Sequence, residues 1–203
     1  MSSATLITLV GPSGAGKTTL ARALQAVGFG RIATTTTRSA RSDEVVGRDL
    51  HVVSPQRFNQ LRSSNSLLAV CDDYSSASYG VQVQHLRAAA ATALPQIIIV
   101  EPSGIAALES WAAEAGMPFA AVFVTSSVAA VRSRLEARYA HEAERRDERQ
   151  DRLARALREA EEWRQVYAWD LVADSGNTQQ DVEAVLELTT RPSEPTDTFA
   201  ACA

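Results

Sequence analysis

Cysteine is scarce in this chain. Only Cys71 and Cys202 occur among 203 residues, and neither has a partner at metal-ligand spacing, which argues against a structural zinc site and against a disulfide framework. The chain reads as reduced and intracellular. Basic character is also lacking: the formal net charge is −4 and the pI is near 5.4, which argues against a general nucleic-acid surface, because phosphate backbones select basic proteins. Arginine can still be concentrated locally in a pocket. No basic start followed by a long apolar stretch opens the sequence, and no run approaches the roughly twenty apolar residues of a membrane span. The expectation is cytoplasmic localisation, with neither nucleic acid nor membrane as a partner. What is present, 45% hydrophobic and 22% charged residues, suffices for one well-cored α/β domain and is short for two.

The most informative segment is Gly11-Pro12-Ser13-Gly14-Ala15-Gly16-Lys17-Thr18-Thr19, which fills every fixed position of the phosphate-binding pattern G-x4-G-K-[ST]. The apolar run Leu6–Val10 leads into it, and an apolar helical pattern (Leu20, Ala23, Leu24, Val27) follows. Glycines let the backbone fold closely around an anion, so that N–H groups point at phosphate oxygens while a helix begins at Lys17 with its positive dipole end facing them. Gly11, Ser13, Gly14, Ala15, Gly16, Lys17, Thr18 and Thr19 are therefore the expected nucleoside triphosphate site. In it Lys17 neutralises the β and γ phosphates and Thr18 binds Mg²⁺. A ligand-free strand-to-helix turn would have to explain Lys and Thr at both required positions at once.

Buried parallel strands read as short apolar runs, and Leu6–Val10, Ile97–Val100 and Phe119–Val124 fit, with a weaker candidate at Trp169–Ala173. Helical patterns follow at Ile105–Ala115, after Ser126-Ser127 (Val128, Val131 and Leu135 on one face), at Leu153–Tyr167, and from the Gly176-Asn177 turn to Thr190. Repeated strand and helix predict a three-layer α/β/α fold around a parallel sheet, a single domain over residues 1–190. Residues 31–83, with Thr34-Thr35-Thr36-Thr37 and short alternating runs, read as a small inserted subdomain. Residues 139–152, dense in Glu, Asp and Arg, read as a solvated face or mobile segment, and 191–203 as a disordered tail.

These residues resemble the guanylate kinase family of P-loop nucleoside monophosphate kinases, over about residues 5–188. Gly11–Lys17 has the form G-P-S-G-x-G-K. Thr36-Thr37-Arg38-Ser39-Ala40-Arg41 with Glu44, Gly47 and Asp49 is similar to T-T-R-x-x-R-x-x-E-x-x-G-x-D, a far more specific pattern. Tyr79-Gly80 echoes the Y-Y-G of the family's substrate-binding subdomain, which the resemblance places at 31–83, and Arg134–Arg138 and Arg152-Leu153 resemble the entrance and exit of its mobile lid, placed at 139–152. The resemblance implies ATP and Mg²⁺ as cofactors and a small-molecule phosphate monoester as acceptor. It implies Thr34, Arg38, Arg41, Tyr79 and Glu101 as acceptor-site residues, and Lys17, Arg38, Arg134, Arg138 and Arg152 as the catalytic charges. Two arginines three apart on a loop can fork around one phosphate, which supports the clamp independently. Competing readings remain for each: an exposed basic loop for Arg38 and Arg41, an amphipathic ring at a strand edge for Tyr79, a helix-capping acid for Glu101, and solvated charge for the lid arginines.

Departures concern the acceptor's base. Leu50 stands where the family has Tyr, Ala69 and Val70 where a glutamate reading guanine is expected, Val81 where Ser or Thr follows Tyr-Gly, and Asp174 about where an Asn contacts the donor adenine. Asp72 or Asp73 replaces the glutamate only if the alignment slips. The phosphate machinery is kept and the base-reading machinery is not, so an ATP-dependent kinase of a nucleoside 5′-monophosphate, GMP or an altered nucleotide, is the leading expectation. A ribose 1,5-bisphosphate phosphokinase-like enzyme, which carries the same Tyr-Gly-Val, and a non-catalytic guanylate-kinase-like module are the alternatives. A regulatory GTPase would need N-K-x-D, which is absent from the sequence.

Overall fold

The computed structural model describes residues 4–74, 77–138, 146–174 and 176–190, so the predicted tail 191–203 and residues 139–145 of the predicted lid lie outside it. In chain order the elements begin with β1 (Leu6–Val10), α1 (Lys17–Ala26), β2 (Gly30–Ile32), β3 (Thr34–Thr36), β4 (Leu50–Val52), α2 (Pro55–Ser63), β5 (Leu67–Tyr74) and β6 (Ala77–Gln82). They continue with α3 (Val83–Ala90), β7 (Gln96–Ile99), α4 (Ile105–Glu114), β8 (Phe119–Thr125), α5 (Val128–Arg138), α6 (Arg146–Gln165), β9 (Leu171–Asp174) and α7 (Thr178–Thr190).

Strand β1 is buried throughout and pairs in parallel with β7 on one side and β8 on the other. With β2 outside β7 and β9 outside β8, the five-stranded order is β2-β7-β1-β8-β9, all parallel. Side chains along a strand alternate faces, and the core divides accordingly. Leu6, Val10, Ile98 and Ala121 pack beneath α3 and α4 through Leu86, Ile105 and Leu108, whereas Ile7, Leu9, Ile97 and Val122 pack beneath α1 and α7 through Leu20, Leu24, Val182 and Val185. Each fully buried Leu, Ile or Val is worth about 1.5–3 kcal/mol relative to exposure, so this three-layer block is a rigid base for whatever sits at its strand ends. The predicted α/β/α fold is found.

A second, four-stranded sheet, β4-β3-β6-β5, leaves the chain between β2 and α3. It is mixed: β3 and β4 run parallel, and β6 runs antiparallel to both β3 and β5. Helix α2, begun by Pro55 and capped by Ser54 Oγ accepting from Arg57 N–H, packs on it through Phe58 and Leu61 against Leu67 of β5.

Three local expectations need correction. Strand β2 was not foreseen, because three residues give no period to read. Val128 begins α5 but is 54% exposed, so only Val131 and Leu135 face Leu153 and Ala156 of α6. Helix α6 starts at Arg146, inside the stretch read as lid, and stops at Gln165, short of Tyr167. Arg and Glu are good helix formers whatever their hydration, which is why a charge-dense run need not be irregular.

Candidate active site

The P-loop connects β1 to α1 and wraps the mouth of a cleft of about 350 Å³ at the C-terminal ends of β1, β2 and β7, where open parallel sheets bind ligands. Its glycines are there for space and for conformation. A Cβ on Gly11 would lie 2.2 Å from the Val124 carbonyl oxygen, and Gly14 and Gly16 sit at φ 82° and 110°, in the left-handed region. Lys17 Nζ donates to the carbonyl oxygens of Gly11 and, at 3.0 Å, of Pro12. Arg134, on α5, donates from Nη1 to Gly14 O at 3.1 Å, Ala15 O at 3.2 Å and Ser126 Oγ at 3.2 Å. Two cations thus rest on the carbonyl side of the same loop whose amides suit phosphate.

Facing the P-loop, the second sheet and the 38–50 loop present the acceptor residues. Arg38 is held as a fork: Nη1 donates to Glu44 Oε2 and Nη2 to Glu44 Oε1, both at 2.7 Å, while Nε donates to Tyr79 Oη at 3.1 Å. Arg41 joins the same carboxylate, its backbone N–H at 2.8 Å and Nη1 at 3.3 Å. Burial alone would push the Glu44 carboxyl up, but the hydrogen bonds from Arg38 and the Arg41 amide outweigh it and hold the group below its ordinary value. Thr34 Oγ1 donates to Ile99 O at 2.9 Å, tying β3 to the end of β7.

Two further charged groups close the cleft. Glu101 follows β7, and its buried Oε2 has no hydrogen-bond partner. Burial pushes its carboxyl up to about 7, Lys17 opposing and the buried Glu159 of α6 reinforcing the shift. Glu101 makes no side-chain cap to the 3-10 turn Pro102–Gly104, so the capping reading of this acid does not hold. On the other flank Asp49, its side chain 1% exposed, gathers arginines: Arg48 Nη2 donates at 2.7 Å, Arg31 Nη1 stands at 2.8 Å and Arg22 Nη2 at 4.0 Å.

Of the residues read from the sequence, Ser13, Gly14, Gly16, Lys17, Thr18, Thr19, Thr34, Arg38, Arg41, Tyr79, Glu101 and Arg134 line this one cleft. Gly11 and Ala15 stand behind its wall. Ala15 is fully buried in the core and its N–H donates to Pro12 O at 3.3 Å. The side chains of Arg138 and Arg152 lie outside the described residues. Leu50 and Ala69 do line the cleft, whereas Val81 is fully buried in the core and Val70 packs against the α2 cluster. Asp72 is paired with Arg62 on the surface, so a slipped alignment does not supply a base reader from it. Sequence reasoning missed Arg22, Arg31, Asp43 and Cys71 as lining residues, and Glu44 and Asp49 as anchors for arginines. Isolated arginines in a helix and a three-residue strand carry no spacing signal. One signal was available: Lys17 is the single lysine in a chain with nineteen arginines.

The guanylate kinase family model matches residues 3–189. The chain belongs to the guanylate kinase family. Among curated relatives, guanylate kinase of Mycobacterium tuberculosis (strain CDC 1551 / Oshkosh) is 36% identical over 123 residues, 57% of this chain and 57% of the relative. That of Salinibacter ruber is 40% identical over 77 residues, 37% of this chain and 41% of the relative. The chain thus spans little more than half the length of the first of these curated guanylate kinases and less than half of the second. A crystal structure of guanylate kinase from Anaplasma phagocytophilum superposes with a TM-score of 0.66 over 93% of this chain and 85% of that one, at 17% identity, a likeness of fold. Among the described residues no helix is long and apolar enough to cross a membrane.

Proposed function

We propose that this member of the guanylate kinase family transfers the γ-phosphoryl group of ATP to the phosphate of a nucleoside 5′-monophosphate, GMP or a nucleotide with an altered base, in the cytoplasm. One observation carries the reading: a single cleft holds a complete P-loop on one wall and, on the other, the Arg38, Arg41 and Tyr79 set anchored by Glu44. The relatives' names supply the same activity class, and the intact Gly16-Lys17-Thr18 favours a catalyst over a binding module.

Phosphoryl transfer asks little covalent chemistry of a protein; it asks for alignment and for neutralisation of charge on the transferring oxygens. The P-loop amides and Lys17 would grip the donor's β and γ phosphates. Lys17 must exchange its Gly11 and Pro12 carbonyl partners for phosphate oxygens to do so. Arg38 and Arg41 would place the acceptor phosphate, which is already a nucleophile near neutral pH, so no general base is required. Arg134, docked on the P-loop carbonyls, is within the same cleft and would approach the transferring group from α5. The residues present fit a Mg²⁺ ion: Thr18 lines the cleft, and Glu101 offers a buried carboxylate oxygen that nothing else satisfies. When bound, the ion supplies charge neutralisation at the phosphates.

The test is ADP release from Mg-ATP with a panel of acceptors (GMP, dGMP, AMP, CMP, UMP, ribose 1,5-bisphosphate), with Lys17→Ala as the blank. Turnover with a nucleotide supports the reading and identifies the base. ATP binding without turnover on any acceptor overturns it in favour of a non-catalytic module.

A further inference from the structure

Donor and acceptor groups reach the cleft from different parts of the chain, so their separation has to be fixed by contacts between those parts. Lys17 and Thr18 begin α1 in the central block, whereas Arg38 and Arg41 lie on the segment that builds the second sheet. Glu44 settles the shape of the acceptor clamp. Its partners Arg38 and Arg41 belong to the same inserted segment, so Glu44 by itself does not hold the clamp to the block that carries the P-loop.

That tie is made further along the same loop, by Asp49. Its side chain is 1% exposed and faces two arginines of the central block: Arg31 of β2, with Nη1 ion-paired to Oδ1 at 2.8 Å, and Arg22 of α1, with Nη2 4.0 Å from Oδ2. Arg22 stands one helical turn beyond Thr18, on the same face of α1, and its guanidinium also donates to Asp43 O and lies 3.7 Å from Asp43 Oδ2. Asp49 and Glu44 are linked through a tight turn. Val45 N–H donates to Asp49 Oδ2, Asp49 N–H to Val45 O and Gly47 N–H to Leu50 O, each at 2.8 Å, with Gly47 at φ 90°. Burial alone would push the Asp49 carboxyl up, but hydrogen bonds from Arg48 and the Val45 amide, with the charge of Arg31, outweigh it and hold the group below its ordinary value. A buried ion pair is often no more stabilising than an apolar pair of similar volume, and what this one supplies is position.

We propose that Asp49 is a positioning residue for phosphoryl transfer: by hitching the Glu44-anchored acceptor clamp to Arg31 of β2 and Arg22 of α1, it sets the span between the acceptor phosphate and the P-loop. This rests on the donor-and-acceptor reading of the cleft given above and adds to it the residue that holds the two subsites in register. Span matters because reacting atoms must stand about 3–3.5 Å apart, and a misplacement of about 1 Å can cost about a hundredfold in rate. Arg48 takes no part in this tie. Its Nη2 donates to Asp49 Oδ2 at 2.7 Å from the adjacent residue, so it braces the loop without joining it to the block.

The test is calorimetric binding of two bisubstrate analogues, diadenosine pentaphosphate and adenosine–guanosine pentaphosphate, beside AMP-PNP and GMP measured singly. A linked ligand gains affinity only where both subsites stand at the span it can bridge. Wild type should bind at least one analogue about tenfold or more tightly than AMP-PNP. In Asp49→Asn, which keeps an acceptor for Val45 N–H and removes the charge, that ratio should fall to about one, while AMP-PNP and GMP alone each change by less than about threefold. Should Asp49→Asn fail to fold, Arg22→Gln, at a position 40% exposed, should shrink the ratio by itself. Arg48→Gln should leave it unchanged. No gain in wild type with either analogue overturns the proposal. So does a gain that survives in folded Asp49→Asn or, where that variant does not fold, in Arg22→Gln. An equal loss in Arg48→Gln overturns it too, as does a loss of GMP binding as large as that of the analogue, which would confine Asp49 to shaping the clamp. Binding is measured without turnover. An Asp49-dependent gain in a chain that forms no ADP would therefore uphold the tie while the kinase reading fell, and turnover with a gain indifferent to Asp49 would do the reverse.

Discussion

Arg38 and Glu44 form a two-pronged pair, Nη1 to Oε2 and Nη2 to Oε1, both at 2.7 Å, with Glu44 9% and Arg38 22% exposed. The guanidinium edge that would meet a phosphate is thus held in place before any ligand arrives, and Tyr79 steadies Nε from the neighbouring strand. Preorganisation of this kind reduces the ordering cost of binding.

Removing the anchor should therefore damage acceptor binding more than turnover. Glu44→Ala is expected to raise the acceptor KM about tenfold or more and to lower stability by about 1–3 kcal/mol, because it leaves Arg38 without its partner. Because the folded-state carboxyl lies below its ordinary value, this contribution is fully present above the unfolded-state value near pH 4.3 and is lost as pH falls through the folded one. Urea melts of wild type and Glu44→Ala between pH 3 and 7 should converge at the acid end.

Glu101 has the opposite sign. Its carboxyl is pushed up to about 7, so the folded state holds a proton that the unfolded state releases. Stability falls as pH rises from about 4.3 toward 7 and then levels off. Glu101→Gln should be more stable than wild type at pH 8, by about 1 kcal/mol or more, and similar to it at pH 4.5, while losing activity. Thermal melts at both pH values with a single-turnover assay check the pairing of gained stability with lost function.

Arg134 is bound to the carbonyl face of the P-loop while lining the cleft. Substitution by Met should lower kcat by about a hundredfold or more, the scale on which lost charge stabilisation acts, with less than about threefold change in the acceptor KM. A fall in KM-dependent terms alone would make Arg134 a binding residue.

Ala69 lies on the cleft floor at φ 49°, at the register shift between β5 and β6, and a Cβ on Gly104 would stand 2.8 Å from its own Cβ. Ala69→Gly should stabilise the chain by about 0.5–1 kcal/mol by relieving the left-handed backbone, and Gly104→Ala should destabilise it, less so in the Ala69→Gly background. Non-additivity in that double-mutant cycle is the readout.

The sequence was most legible where chemistry and local geometry coincide. Leu6–Val10 followed by Gly11–Thr18 specifies a buried strand, a tight turn and a helix start without reference to the rest of the chain, and the structure follows it residue for residue. Arg38, Arg41 and Glu44 were named in one family pattern and Tyr79 in a second, but Glu44's part as the anchor required three dimensions. Arg31 and Asp49 meet across a strand and a loop, and Glu101 is affected by Glu159 from a distant helix. Such pairs leave no periodic trace. The base-facing end shows the same division: Leu50 and Ala69 do face the cleft, while Val81, equal to them as a departure in the sequence, is sealed in the core.

The most direct test of the account follows a labelled γ-phosphoryl group from Mg-ATP in the presence of the best-bound acceptor. The account predicts that the label appears on the acceptor, now a phosphoanhydride, with little in inorganic phosphate, and that Lys17→Ala abolishes the transfer. Label that stays on ATP, or that is released only as inorganic phosphate at the same rate with and without acceptor, would contradict it.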